Sequence, residues 1–190
     1  MRAWIAFLVI LLIGCNHVEV DNMDALMIIS QENFRDEELI EPKDVLESNG
    51  INVEVASITK DTAKGMLGLE YEPDLSVKEA DIDQYDIIII VGGSGSPELG
   101  NHQEVISLLQ RAKEEDKYIA AICLGPTVLA KAGILENRNA TVYSSGKQDI
   151  EKYGANFVDK SIIVDRNIIT ANGPQAAREF GRKIVEIMYS

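Results

Sequence analysis

The alternation of apolar and polar positions divides the chain into short β-type runs separated by helical stretches. Ala25-Leu26-Met27-Ile28-Ile29-Ser30 is an apolar run suited to a parallel strand buried on both faces. From Asp36 to Asn49 the period is helical, with Leu39, Val45 and Leu46 on one side and Gly50 closing the segment. INVEVAS, residues 51–57, alternates and predicts a second strand. Residues 58–85 are less regular. Gly65 to Leu69 and Leu75 to Val77 flank the turn Glu72-Pro73-Asp74 and predict a small hairpin added to the main sheet. IIIIV, residues 87–91, is β-branched throughout and stops at Gly92-Gly93, which makes it the clearest strand. A helix over 101–116, a strand over 118–122 and a short helix over 126–132 follow. Then come a strand near Thr141, a helix over 147–153, and strands near Ile162 and Ile168. Pro174 opens a C-terminal helix, a favoured first-turn position. This order predicts an α/β fold with a doubly wound, mainly parallel sheet, whose site lies at the carboxyl ends of the strands.

Composition narrows the functional classes. At 190 residues the chain is expected to be one domain, and no internal repeat interrupts it. A net charge of −13 weighs against nucleic acid as a partner, because phosphate contacts need a basic face. Cys15, Cys123, His17 and His102 are the only cysteines and histidines, and their spacing fits neither a zinc site nor a disulfide framework. No metal is expected. The N-terminus reads separately. Arg2 precedes an apolar run from Ala3 to Ile13, too short to span a bilayer but suited to a signal peptide. The ending Leu12-Ile13-Gly14-Cys15 resembles a lipobox. Residues 1–14 are therefore expected to be a signal peptide, 15–23 a tether and 24–190 the domain. A lipid on Cys15 would anchor the chain at the cell surface or in the periplasm; without that processing a cytoplasmic location is expected.

Two strand ends carry chemistry. Ile87–Val91 runs into Gly92-Gly93-Ser94-Gly95, and Tyr118–Ile122 runs into Cys123-Leu124-Gly125-Pro126. The second has the form of a nucleophile elbow, with small Ala121 and Gly125 two places either side of Cys123. At the start of a helix, the dipole and free N–H groups are expected to favour thiolate. The backbone N–H groups of Leu124 and Gly93 are expected to hold a developing oxyanion. VGGSGSPE lacks both the Gly-Lys-Ser/Thr ending and the dinucleotide spacing, so a phosphate loop is not expected there.

IAAICLGPTVLAKAGIL, preceded by YDIIIIVGG, resembles the ThiJ/PfpI superfamily, also called the DJ-one superfamily, over nearly the whole chain from Ala25 onward. The resemblance implies a flavodoxin-like, class I glutamine amidotransferase-like sandwich, a homodimer, and chemistry without a cofactor. It also implies a glutamate four residues before a proline. FRDEELIEP supplies Glu38 ahead of Pro42, with a carboxyl expected beside the Cys123 sulfur and a raised pKa. The family's peptidase branch has histidine directly after the nucleophile. Leu124 stands there, which weighs against a Cys–His peptidase pair. The stress-sensor branch's later histidine corresponds to the region of Tyr143, a possible pocket residue. Glu98 and His102 are two further pocket candidates. Two functions are expected to compete. One is a cofactor-independent glyoxalase or deglycase acting on small reactive carbonyls through Cys123 and Glu38. The other is a non-catalytic oxidative-stress sensor or chaperone-like protein working through Cys123 oxidation. The lipid anchor is checked by the mass of the membrane-extracted protein: a chain beginning at a lipidated Cys15 is expected, and an intact, unmodified Met1 overturns it.

Overall fold

In a computed structural model the described residues are 23–190; the expected signal peptide and Cys15 lie outside them. In chain order the elements are β1 (Asp24–Ile28), β2 (Glu32–Phe34), α1 (Asp36–Ser48), β3 (Asn52–Ser57), β4 (Ala63–Gly65), β5 (Glu70–Tyr71), β6 (Leu75–Ser76), β7 (Ile87–Ile90), α2 (Ser96–Leu99), α3 (Gln103–Glu114), β8 (Tyr118–Ile122), α4 (Gly125–Lys131), β9 (Asn139–Ala140), α5 (Lys147–Lys152), β10 (Asn156–Phe157), β11 (Ile162–Asp165), β12 (Ile168–Ala171) and α6 (Ala177–Met188).

The apolar runs become a 7-stranded sheet in the order β11-β12-β8-β7-β1-β3-β6. Every pairing in it is parallel except that of β11 with β12. Side chains alternate across it, as strand geometry requires. On one face Leu26, Ile28, Ile88 and Ile90 join a core with Val105 and Leu109 of α3 and Val128 of α4. On the other, Met27, Ile87 and Ile89 pack with Leu39 and Leu46 of α1 and Phe180 and Ile184 of α6. Both faces are covered, so the central strands carry no polar alternation, and this is why IIIIV reads as a continuous run. The result is the doubly wound, mainly parallel α/β sandwich expected from the sequence.

Residues 58–85 depart from expectation. The hairpin is β4–β5, turning at residues 66–68, and it pairs with β2 in a separate 3-stranded sheet. Only β6 joins the main sheet, beside β3. The reason lies in two aspartates. The Asp74 carboxylate accepts from the Val55 N–H at 2.8 Å, and the Asp74 N–H donates to the Val55 carbonyl at 2.8 Å, clamping this segment to the β3 edge. The Asp36 carboxylate accepts from the N–H groups of Leu67 and Leu69 at 2.9 and 2.8 Å, which holds the hairpin over the start of α1. The strand expected near Thr141 is β9, which pairs with β10 outside the main sheet. The helix expected over 101–116 begins at Gln103, with the short α2 ahead of it.

Helix α1 packs on α6, and Phe180 is fully buried between α6 and the sheet. Phe180→Ala is expected to lower stability by about 3–5 kcal/mol, read from the urea midpoint, because it removes a fully buried aromatic ring and leaves a cavity.

Candidate active site

The sheet brings the two marked strand ends together. β7 and β8 are neighbours, with Ile90 opposite Ala121, so the turns that follow them emerge side by side at the carboxyl edge. Cys123 has φ +60°, the left-handed conformation of a sharp strand-to-helix turn. Its own N–H donates to the Ala171 carbonyl at 2.9 Å, and its carbonyl accepts from the Tyr143 N–H at 2.8 Å. These bonds pin the turn on both sides. Gly125 is required: a Cβ there would lie 2.7 Å from the Ile90 carbonyl oxygen. The Gly93 and Leu124 N–H groups lie near enough to the sulfur to favour its thiolate.

Glu38 comes from α1. It lies on the buried stripe with Leu39, Pro42, Val45 and Leu46 and is itself fully buried. Gly92 makes room for it, since a Cβ at Gly92 would stand 2.0 Å from Glu38 Oε2 and 2.4 Å from the Cys123 Cβ. Carboxyl and thiol are therefore in contact through the space this glycine leaves. Among the described residues neither Glu38 oxygen has a hydrogen-bond partner of good geometry. Even so, thiol and carboxyl perturb each other's titration. Burial pushes the Glu38 carboxyl up to about 7, against the opposing pull of the Cys123 thiol and the Arg35 guanidinium. Burial, and next the Glu38 charge, push Cys123 up to about 12, against the two amides that favour thiolate. The expectation of a favoured thiolate is thus corrected. The amides act in the expected direction, but desolvation and the neighbouring carboxylate outweigh them. The two groups titrate as a pair that holds one proton firmly and a second near neutrality.

Cys123, Glu38, Gly93 and Leu124 share a pocket of about 390 Å³ with Tyr143, whose side chain is 46% exposed. Glu98 and His102 are not brought to it. They line a second pocket with Ser30 and Asn33, where Glu98 accepts from Asn101 Nδ2 at 2.8 Å and His102 stands at the N-cap position of α3 without a side-chain capping bond. The sequence reading missed Arg35, Ser94 and Gln175 in the Cys123 pocket. Arg35 immediately precedes α1 in an extended conformation, so no helical spacing pointed to it. Among the described residues no cluster of His, Cys, Asp and Glu could hold a metal ion.

Comparison with known proteins gives a consistent result. The sequence model of the DJ-1/PfpI family matches residues 23–187. An uncharacterized protein of Methanocaldococcus jannaschii is 43% identical over 87% of this chain and 82% of its own length. A deglycase of Pyrococcus abyssi is 29% identical over 86% of this chain and 98% of its own. A glutathione-independent glyoxalase of Caenorhabditis elegans is 33% identical over 86% and 88%. The crystal structure of a ThiJ/PfpI domain protein from Brachyspira murdochii superposes with a TM-score of 0.85 at 32% identity, covering 88% of this chain and 98% of that one.

The Glu38 carboxyl makes stability pH-dependent. Its pKa in the fold, about 7, lies above the ordinary 4.5, so the contribution is complete below about pH 4.5 and is lost as pH rises through 7. Glu38→Gln cannot ionise. Between about pH 4 and pH 8 its unfolding free energy is expected to shift by about 3 kcal/mol in its favour relative to wild type. Urea denaturation at several pH values measures this, and a pH-independent difference overturns it.

Proposed function

The chain belongs to the DJ-1/PfpI family, and on that premise we propose that it acts on small reactive carbonyls such as methylglyoxal or its adducts, with Cys123 as nucleophile and no cofactor. The observation that carries this reading is the fully buried Glu38 carboxyl, without a hydrogen-bond partner, against a thiol that two amides face. The glyoxalase and deglycase among the relatives support the reaction class.

The residues suggest the steps. Sulfur adds to the aldehyde carbon and an S–C bond forms. The carbonyl electron pair moves onto oxygen, held by the Gly93 and Leu124 N–H groups. The thiol proton passes to the Glu38 carboxylate, which returns it to that oxygen, giving a hemithioacetal. Glu38 then takes the proton from the first carbon and returns it to the second, while the hydroxyl proton passes from the first carbon's oxygen to the second's, so that an enediol forms and collapses to a lactate thioester. Water cleaves the S–C bond and restores the thiol. The sum is methylglyoxal plus water to lactate.

One observation favours a second reading. The unpartnered Glu38 oxygens could face the oxygens of a sulfinate, so that protonated Glu38 stabilises oxidised Cys123. Two molecules of peroxide supply the two oxygens and leave as water. A peptidase is disfavoured, because Leu124 follows the nucleophile and no histidine lines the pocket among the described residues. We extend the proposal to a homodimer, for which Met66 and Leu67, 42% and 60% exposed at the hairpin tip, offer apolar surface beside the pocket. The lipid-anchored location at Cys15 likewise stands as a proposal.

Steady-state conversion of methylglyoxal to lactate tests the first reading. Cys123→Ala is expected to abolish it, and Glu38→Gln to reduce kcat/KM by about 10²–10⁴. Because Glu38 must be ionised to accept the proton, kcat/KM is expected to rise as pH passes through about 7 and to lose that limb in Glu38→Gln. No turnover, with stoichiometric gain of two oxygen atoms on Cys123 in mild peroxide, overturns the enzyme in favour of the redox protein.

A further inference from the structure

The Cys123 pocket contains a charge that the carbonyl chemistry does not use. Arg35 lines it, and it is the one cationic side chain among the described residues that do. It does so on a chain whose net charge is −13. Its backbone is fixed, since the Arg35 N–H donates to the Gly92 carbonyl at 2.9 Å. That bond ties it to the turn that presents the Gly93 amide. Its guanidinium is oriented as well: Nε and Nη2 donate to the two oxygens of Glu37 at 2.8 and 3.1 Å. Nη1 has no protein acceptor among the described residues. Glu37 does not line the pocket. Of the pair, the cationic residue lines the cavity and the anionic one does not. The side chain is 27% exposed, so a small solute can reach it while bulk screening is reduced. Arg35 also feels the charges of Glu38 and Cys123, which places it within electrostatic reach of the reacting sulfur.

An acid pocket on an acidic protein repels anions. A single oriented guanidinium reverses that locally, and its planar donors match a carboxylate better than a neutral carbonyl. We infer that Arg35 is a specificity residue that binds a carboxylate on the carbonyl compound presented to Cys123, so that the pocket takes 2-oxo acids and related anionic carbonyls in preference to neutral ones. This rests on Cys123 being the group that meets the substrate.

Two thiol reagents of nearly equal shape test it. Iodoacetate is an anion and iodoacetamide is neutral; with each, the sulfur forms an S–C bond and iodide leaves. Both require the same thiolate, so the ratio of their rates at Cys123 cancels any change in its ionisation. In Arg35→Gln the iodoacetate-to-iodoacetamide ratio is expected to fall by about tenfold, and to fall towards the same value in wild type as salt is raised. Arg35→Lys, which keeps the charge, is expected to retain most of the preference, an outcome that a merely structural role for Arg35 would not give. An unchanged ratio in Arg35→Gln overturns the inference. A second measurement avoids the thiol. Pyruvate is expected to give a saturation-transfer NMR signal with Cys123→Ser and to lose it when Arg35→Gln is added; a signal that persists overturns the inference. Methylglyoxal left unconverted while both Arg35 effects hold defeats the proposed reaction and leaves the carboxylate site standing. Conversion with no Arg35 effect does the reverse.

Discussion

A carboxyl group buried without a hydrogen-bond partner opposes folding, and much of the structure around Glu38 is arranged to tolerate one. Burial alone disfavours the carboxylate by several kcal/mol in general terms, so such a group meets its environment by holding a proton near neutral pH. Gly92 leaves the space, where a Cβ would stand 2.0 Å from Oε2. Pro42, four residues on, has no N–H to return to the Glu38 carbonyl in the helix ladder, so even the local backbone is specialised. The rigid packing of α1 against the sheet and α6 holds the carboxyl in place.

The thiol imposes the complementary constraint. A non-glycine residue at φ +60° is strained by roughly 1–3 kcal/mol and persists only where its surroundings over-determine it. Here the bonds to Ala171 and Tyr143 do so, and the tight turn aims two amides at the sulfur. The strain and the buried acid meet at one spot. Two groups that would each be unremarkable alone are coupled in their titration, and in the proposed reaction this pairs the sulfur with a base that is not a histidine.

Sequence patterning revealed the sheet well, because its strands are buried on both faces and carry no competing signal. IIIIV and the elbow around Cys123 were legible for that reason. β2 was not, because Asn33 at φ +58° breaks the alternation a strand needs. The segment at 58–85 was misassigned because its placement depends on Asp36 and Asp74 accepting distant backbone N–H groups, contacts that no local period encodes. Glu38 was legible only through a resemblance, since DEELIE reads as a solvated face. Yet its spacing to Pro42 and Val45 does fall on the apolar stripe of α1. Glu98 was a pocket candidate through the family resemblance and His102 as a histidine at a helix start; in the fold both line a different cavity.

The N-cap and first turn of α1 concentrate several jobs in four adjacent residues. Arg35 gives the pocket its cation, Glu37 aims it, and Glu38 holds the proton. Asp36 hooks the hairpin whose Met66 forms part of the rim. Charge, shape and proton affinity are thus set by neighbours in sequence that act through separate contacts. A substitution at Arg35 changes the charge of the pocket and removes one of the pulls that lower the Glu38 pKa, whereas one at Asp36 acts on the hairpin at the entrance. The segment is a compact address for divergence: lineages can acquire new ligands by one codon at a time without first dismantling the buried acid that the fold took such care to accommodate.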